Sequence, residues 1–434
     1  MLISRLLEKG FCVLSLLFFT DAILPNLEQI SGVNVAPIKL VLANGISLIS
    51  ILLIVIGYKK VISIVIREKW LWMIWGIALA STFWSDIPVA TLRSSLFLVQ
   101  VTLFGVYFAA RYSLKEQLRL LAVTFSIIVL LSIAIALALP SYGVMTFQEG
   151  GVHAGAWRGI YFHKNGLGRM MVLSAIVFLI STSSSRKYRW IAWAGFILSI
   201  AMVVLSTSKT SLAILLTLIV LLPFYKALRW SSSLAIPFLI ATILVGGSVA
   251  VLLVSNTEAI LGAFGRDLTL TGRTELWAAV LDKISERPWL GYGYGGFWRS
   301  LEGESADVLS IVRWAAPHSH NCFLDLCLDL GLLGLLAFAL SFLAVCWRSV
   351  LCVRLIKTSE GLLPLAYLTF LLLANLTESS LLRQSSLWIL FTVVTFSTHN
   401  INIDRTKSLE ISAQTLPKKK IKQRKSTYAK STFN

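Results

Sequence analysis

The chain has 434 residues, of which 56% are apolar and only 14% are charged, with a formal net charge of +18. A soluble globular chain carries about 25% charged residues, so this composition excludes that class. Apolar runs of about 20 residues recur along the whole chain, which is the length that a helix needs to cross a ~30 Å hydrocarbon core. The sequence therefore predicts an all-α polytopic integral membrane protein.

The first segment begins with two basic residues. Arg5 and Lys9 precede a short apolar run at 11–24, a pattern shared by signal peptides and first transmembrane helices. No small-x-small cleavage site follows this run, and the next residues are "PNLEQ". We therefore expect an uncleaved first helix.

The apolar segments predict about twelve transmembrane helices in a single transmembrane domain, residues 1–398. One large loop, 255–321, and one medium loop, 140–165, interrupt the short connections. The predicted spans lie at 10–25, 37–57, 70–84, 91–110, 119–139, 166–182, 190–206, 210–225, 233–254, 322–346, 361–377 and 385–398.

Lysine and arginine are divided unevenly between alternate loops. The two termini and the loops on their side hold 26 of the 39 lysines and arginines, and positively charged short loops remain in the cytoplasm. Both termini are therefore predicted to be cytoplasmic, with 255–321 on the opposite side. Residues 399–434, which contain "PKKKIKQRK", are predicted to be a disordered basic tail that touches anionic lipid and not nucleic acid.

Histidine and cysteine are distributed differently. Four of the five histidines lie in the two outer loops, which indicates chemistry on that side, although exposed loops also hold more polar residues in general. The five cysteines form no CxxC and lie within spans or on the cytoplasmic side, so we predict no disulfide and no metal site. The outer histidines are His153, His163, His318 and His320.

The large loop contains one clear amphipathic helix. In "GRTELWAAVLDKISERP", residues Trp277, Val280, Leu281 and Ile284 recur at helical spacing, and Pro288 ends the pattern. Arg273 then lies in the first turn, where a cation is unfavourable to the helix dipole. An anion docked at the same place would offset that cost; an ordinary surface arginine is the alternative.

Other cations occur at the predicted outer membrane boundary. They are Arg158 and Lys164 in the medium loop and Lys209 in the turn "STSKTS". Each on its own is explained by snorkelling to the interface. Together with Arg273 they favour a shared polyanionic ligand, such as a lipid-linked phosphate or pyrophosphate.

These motifs resemble those of the bacterial O-antigen ligase superfamily, and most closely those of its exopolysaccharide-polymerase branch. The signature is His320 and Asn321, nine residues, Gly331, two residues and Gly334. The segments "WRGIYFHKNGLG" and "GRTELW" are similar to further blocks of the family. The resemblance covers roughly residues 70–400.

The resemblance implies a metal-independent glycosyltransferase of the inner membrane that uses no cofactor. It would transfer a glycan from undecaprenyl pyrophosphate to an acceptor hydroxyl on the periplasmic face, acting as a polymerase or as a lipid A–core ligase. The acceptor would be a glycan or glycolipid, and contact with polysaccharide export proteins is also implied. A lipid-linked glycan flippase is the alternative from a different class, although we see no repeat symmetry between the halves of the chain.

The resemblance also implies catalytic residues. The essential histidine of the family corresponds to His320, the loop arginine to Arg273, and a second arginine to Lys209, where lysine keeps the charge but loses the bidentate fork. A neutral histidine suits proton abstraction from a sugar hydroxyl, and fixed cations suit a pyrophosphate leaving group.

The remaining candidates are predicted to bind substrate. His318 is an alternative base, because it lies two residues from His320, or it binds sugar. Asp325 and Asp329 share a helical face with Asn321, which favours a buried polar seam. Glu378 lines the acceptor path or is a solvated turn residue. The predicted substrate-binding residues are Arg158, His163, Lys164, Asn165, His318, Asn321 and Glu378.

Overall fold

The structure is a computed structural model that describes residues 2–22, 33–147, 151–183, 186–230, 273–299, 302–312, 314, 316–379, 381–382 and 386–399. These residues are mostly helical, and the β-structure among them is one isolated antiparallel bridge between Val144 and Trp157. The prediction of an all-α chain is confirmed for this part. The predicted span 233–254, the start of the large loop and nearly all of the basic tail lie outside the described residues.

We number the principal described helices in chain order. They are α1 Leu2–Phe19, α2 Ala36–Ile56, α3 Tyr58–Val65, α4 Lys69–Ala80, α5 Pro88–Arg111, α6 Leu114–Ala138, α7 Lys164–Ser181, α8 Arg189–Leu205, α9 Lys209–Ala227, α10 Arg273–Glu286, α11 Glu304–Val312, α12 Cys322–Leu355, α13 Leu363–Asn375 and α14 Ser386–His399.

Six of these helices, α2, α5, α6, α7, α9 and α12, are long and apolar enough to cross a membrane. Three shorter apolar segments, Arg189–Leu205, Ser359–Asn375 and Ser386–His399, accompany them. The protein is therefore a multi-pass membrane protein. The six long helices coincide with six of the twelve predicted spans, and the predicted segment 70–84 is a 12-residue helix followed by a 3₁₀ turn.

Helix α7 is the most enclosed of the spans. In its most apolar window, 72% of the residues are buried, and it packs against α6, α8, α9 and α13. After Arg169 its side chains are almost all apolar, which is the pattern of a helix surrounded by protein. This central position fixes the start of α7 against its neighbours, and the candidate site lies at that end.

Helix α12 is interrupted at the first glycine of the His-Asn motif. Gly331 has φ +64° and ψ −169°, which frees backbone groups from the helical ladder. The segment 288–293 pairs with them: the N–H groups of Tyr292 and Gly293 donate to the carbonyls of Leu328 (2.7 Å) and Asp329 (3.0 Å). A Cβ at Gly331 would lie 2.2 Å from the Trp289 carbonyl carbon, so both the conformation and the space require glycine.

The segment between α10 and α12 forms a small apolar core of its own. Leu276, Val280, Phe297 and Val308 are at most 1% exposed and pack together with Leu328 of α12. Helix α10 begins at Arg273 and ends before Pro288, as predicted. The face that it buries differs by one residue from the face predicted from the spacing of its apolar residues.

Leu281 belongs to the predicted apolar face but is 54% exposed, whereas Leu276 and Ala279 are buried. Four apolar residues in a row at 278–281 made the phase of the helix ambiguous in the sequence. The packing against α11 and α12 fixes that phase.

Candidate active site

Two histidines and one glutamate meet at one end of the helix bundle. Nδ1 of His320 lies 3.6 Å from a carboxylate oxygen of Glu378, and Nε2 of His318 lies 4.0 Å from the same oxygen. The three side chains are 16–21% exposed. They come from the loop before α12 and the turn after α13, so the fold brings together residues that are far apart in the sequence.

The histidine loop has a specific backbone conformation. His320 has φ +54°, which is uncommon for a residue other than glycine and costs on the order of 1–3 kcal/mol. Its backbone N–H donates to Nδ1 of His318 at 3.1 Å, and Asn321 then caps α12 by accepting the N–H of Phe323 at 3.0 Å. Asn321 therefore has a structural part in starting the helix, whatever it contributes to substrate binding.

The loop is held in this conformation by Asp325, one turn into α12. Its carboxylate is buried and accepts the backbone N–H of Ser319 at 3.1 Å and the indole N–H of Trp298 at 2.8 Å. The hydroxyl of Ser379, which follows Glu378, also donates to it. Asp325 thus links the histidine loop, the aromatic strip and the glutamate turn, and the expected buried polar seam is confirmed for this residue.

Glu378 lies outside the membrane-spanning helices and is held in its ionised form. Burial by itself would raise the pKa of this carboxyl, but the His320 imidazole beside it, the charge of Arg169 and the two histidines outweigh burial and lower the pKa to about 2. The side-chain amide of Asn165 donates to the other carboxylate oxygen at 3.3 Å. The ionised Glu378 is therefore a fixed negative charge facing both histidines.

The medium loop reaches the same place through the start of α7. His163 caps this helix, since its Nδ1 accepts the backbone N–H of Asn165 at 3.2 Å, and the His163 ring lies 6.1 Å from that of His153. Burial lowers the pKa of His163, with the neighbouring His153 acting in the same direction and Glu378 opposing it. His163 therefore acts as a neutral cap.

The turn that contains Lys209 packs against the start of α7. The Lys164 ammonium donates to the Thr207 hydroxyl at 3.2 Å, and Ser208 caps α9, which begins at the exposed Lys209. A Cβ at Gly168, the last glycine of "WRGIYFHKNGLG", would lie 2.6 Å from the Ser211 hydroxyl. That glycine allows the close approach which brings the start of α9 to the site.

Arg158 is placed differently from the other predicted cations. It is 2% exposed, and its guanidinium donates to the backbone carbonyls of Tyr142 (2.7 Å) and Ser141 (3.1 Å). These contacts hold the medium loop together, so they account for the residue without a ligand.

Arg273 begins α10, and the helix itself is tied to the histidine loop. Trp277, one turn further on, donates its indole N–H to the carbonyl of Ser319 at 2.8 Å. Residues four apart share a helical face, so Arg273 lies on the side of α10 that faces this loop. Its role in binding a polyanionic ligand stays a prediction.

Arg169 also belongs to the candidate site, although it was not predicted from the sequence. This residue lines a narrow cleft together with Asn165, Ser208 and Glu378, and its charge contributes to the low pKa of Glu378. A signal was present, because Arg169 is four residues after Asn165 and therefore shares its face of the helix.

The side chains that could hold a metal ion are the same three. The ligand atoms of His318, His320 and Glu378 lie within 4.8 Å of one another, and two histidines with one carboxylate are a common donor set. The same contacts, 3.6 Å and 4.0 Å long, also fit a carboxylate that supports an imidazole in proton transfer, so the cluster does not by itself require an ion. The expectation of a metal-free site remains a prediction.

Comparison with known proteins finds two similarities. Residues 194–339 match the family described as O-antigen ligase, a range that includes Lys209, Arg273 and both histidines of the loop. Over 300 residues the chain is also 26% identical to the exopolysaccharide production protein ExoQ of Rhizobium meliloti (strain 1021). That alignment covers 65% of this chain and 66% of the relative, slightly under two thirds of its length. This multi-pass membrane protein is thus similar to the O-antigen ligase family over residues 194–339, the family that the sequence motifs resemble.

Proposed function

We propose that the protein is a glycosyltransferase of surface polysaccharide synthesis that acts on the periplasmic face of the bacterial inner membrane. It would transfer an oligosaccharide from undecaprenyl pyrophosphate to the hydroxyl of an acceptor glycan. The O-antigen ligase domain supports a role in joining glycans. The observation that carries the proposal is the pair formed by His320 and the ionised Glu378 at the end of the bundle.

The geometry supports His320 over His318 as the general base. His318 uses Nδ1 to accept its own loop's backbone N–H, and its Nε2 faces Glu378. His320 faces Glu378 with Nδ1, which leaves Nε2 for the substrate. A carboxylate behind one nitrogen of an imidazole fixes its tautomer and stabilises the imidazolium that forms.

The proposed reaction is a direct displacement. Nε2 of His320 takes the proton of the acceptor hydroxyl while that oxygen attacks the anomeric carbon of the donor. The bond from this carbon to the phosphate oxygen breaks, and undecaprenyl pyrophosphate leaves with the electron pair. Attack in line with the leaving group inverts the anomeric centre.

Positive charge for the leaving group is available at the same end of the bundle. The helices α7, α9 and α10 begin there with Lys164, Lys209 and Arg273, and helix N-termini favour anions. Fixed cations that face a growing negative charge lower the barrier without reorganisation. His163, Asn165 and Asn321 order the loops that carry these groups.

The acceptor distinguishes a polymerase from a ligase. The name of the relative refers to exopolysaccharide production, which favours a polymerase that extends a second lipid-linked repeat unit over a ligase that modifies lipid A–core. Deletion of the gene followed by sizing of the glycans tests this. Loss of long chains with single repeats remaining is the expected result, whereas long chains left on the carrier would indicate a ligase.

A flippase would move the lipid-linked glycan without forming a bond. Purified protein in detergent, supplied with lipid-linked donor, separates the two classes because detergent removes the two compartments. Formation of longer glycans is expected, and unchanged donor would overturn the proposal. Cytoplasmic termini and a periplasmic site predict that a periplasm-dependent reporter fused after residue 300 is active; a signal only from a cytoplasm-dependent reporter would contradict this topology.

A further inference from the structure

A cavity of about 510 Å³ lies next to the loop that carries the two histidines and the turn that carries Glu378. The end of α1, α5, α7, the aromatic strip at 292–298 and α12 all contribute to its wall. Its volume is within the range of sites that hold small molecules, about 300–1,000 Å³. The residues that line it include Phe97, Tyr294, Trp298, Arg169, Asp329 and Ser94.

The cavity and the candidate active site share a wall. Pro317 and Ser379 both line the cavity; Pro317 directly precedes His318, and Ser379 directly follows Glu378. Arg169 lines the cavity and also the narrow cleft that contains Glu378. A molecule in the cavity therefore lies next to the two segments that carry the proposed base and its carboxylate partner.

The lining combines aromatic rings with charged and hydroxyl groups. Phe97, Tyr294 and Trp298 offer flat apolar faces, while Arg169 donates hydrogen bonds and Asp329 accepts them. Trp298 is fixed by the hydrogen bond from its indole N–H to Asp325. Sugars have the matching chemistry, because their rings carry apolar C–H faces and their hydroxyl groups both donate and accept.

The cavity is less suited to the polyprenyl tail of a carrier lipid. An apolar chain would bring no hydrogen-bond donor or acceptor to the charged groups of Arg169 and Asp329, whereas sugar hydroxyl groups bring both. At another part of the lining, the Lys39 ammonium and the Asp21 carboxylate form an ion pair of 2.7 Å whose side chains are 36% and 61% exposed. This exposed pair indicates that water reaches that part of the cavity.

The cations that suit a phosphate group and the aromatic residues that suit a sugar lie at two different places. The starts of α7 and α9, with Lys164 and Lys209, lie on the side of the narrow cleft and suit the pyrophosphate of the donor. Resting on the function proposed above, we propose that the 510 Å³ cavity binds the terminal sugar of the acceptor glycan and presents its hydroxyl to His320.

The test is the separation of acceptor and donor kinetics in purified protein. Asp329→Asn removes the negative charge of one acceptor, Phe97→Ala removes one aromatic face, and Ser94→Phe fills the cavity. The probe is a soluble single-repeat oligosaccharide, released from the lipid-linked intermediate, added as acceptor. The acceptor KM is expected to rise about tenfold or more in the first two variants, since one such contact is worth on the order of 1–3 kcal/mol. The donor KM should change less than twofold, and Ser94→Phe should lose transfer while still binding donor.

Two exposed residues outside the cavity give matched controls. Phe83 is 92% exposed and Asp282 is exposed on α10, so Phe83→Ala and Asp282→Asn should retain both KM values. Unchanged acceptor KM in folded Asp329→Asn and Phe97→Ala would overturn the cavity assignment while the wild type still makes product. A rise in donor KM alone would assign the cavity to the carrier lipid. No product from the wild type would instead count against the proposed function.

Discussion

The Asp325 carboxylate accepts the backbone N–H of Ser319 at 3.1 Å, and Ser319 is the residue between the two site histidines. The same carboxylate accepts from Ser379, the residue after Glu378. One buried acid on α12 therefore sets the positions of the proposed base and of its carboxylate partner, although it touches neither directly.

Replacing Asp325 by alanine should impair both folding and activity. Each buried donor left without an acceptor costs about 1–3 kcal/mol, and three donors depend on this carboxylate. We expect a lower melting temperature and a reduced kcat in purified protein. Asp282→Ala on the exposed face of α10 is the control, and an Asp325→Ala variant with wild-type kcat would show that the loop holds its conformation unaided.

Gly331→Ala should disrupt the junction between α12 and segment 288–293. The methyl group would overlap the Trp289 carbonyl group, and a non-glycine residue at φ +64° adds strain of on the order of 1–3 kcal/mol. Loss of product and faster proteolysis of the α10–α11 region are expected. Gly45→Ala in α2 is the matched control, because nothing lies within 4 Å of its Cβ; equal stability of the two variants would contradict the packing argument.

The sequence predicted the six long helices and the helix at Arg273 well, for physical reasons. A run of about 20 apolar residues has few alternatives to a transmembrane helix, and the helix at Arg273 has both a start and a stop signal. The pairing of His320 with Glu378 was not predictable, because 58 residues separate them and their contact depends on how α12 and α13 pack. Glu378 was considered only as a lining or turn residue.

The roles of two other residues near the site could not be predicted from the sequence, because their residue types and positions also fit other roles. The helical spacing of Asp325 predicts only a buried polar residue. Its three hydrogen-bond donors come from three separate segments of the chain. Arg158 has the charge and position of a ligand-binding residue, but its hydrogen bonds to backbone carbonyls are visible only in three dimensions. A local pattern reports residue type and periodicity, whereas these roles depend on long-range contacts.

Arg273 should be needed for the leaving group and not for folding. Arg273→Ala is expected to lower kcat about 10²–10³-fold, the usual effect of removing one group that stabilises developing charge, and Arg273→Lys should recover part of that loss. Arg189 is a good control, because it also begins a helix and is exposed. An Arg273→Ala variant as active as Arg189→Ala would remove Arg273 from the mechanism.

Glu378 predicts a specific dependence of stability on pH. Its pKa in the folded protein is about 2, below the value of about 4.3 expected for an unfolded glutamate. The stabilisation by its ionised form is therefore fully present above about pH 4.5 and is lost as the pH falls toward 2. Thermal unfolding between pH 5 and 3 should show a smaller loss of stability in Glu378→Gln than in the wild type; parallel curves would refute the low pKa.

His320 is predicted to be the base, and His318 provides the comparison within the same loop. A lost general base typically costs about 10²–10⁴-fold in rate, so His320→Ala should remove most product while donor binding and expression stay near normal. His318→Ala should have a smaller effect, since both of its ring nitrogens already face groups of the protein. Glycan transfer with purified lipid-linked donor measures this directly, with and without a chelator. An inactive His318 variant beside an active His320 variant would reverse the assignment, and loss of wild-type activity in chelator would replace the proposed base with a metal centre at His318, His320 and Glu378.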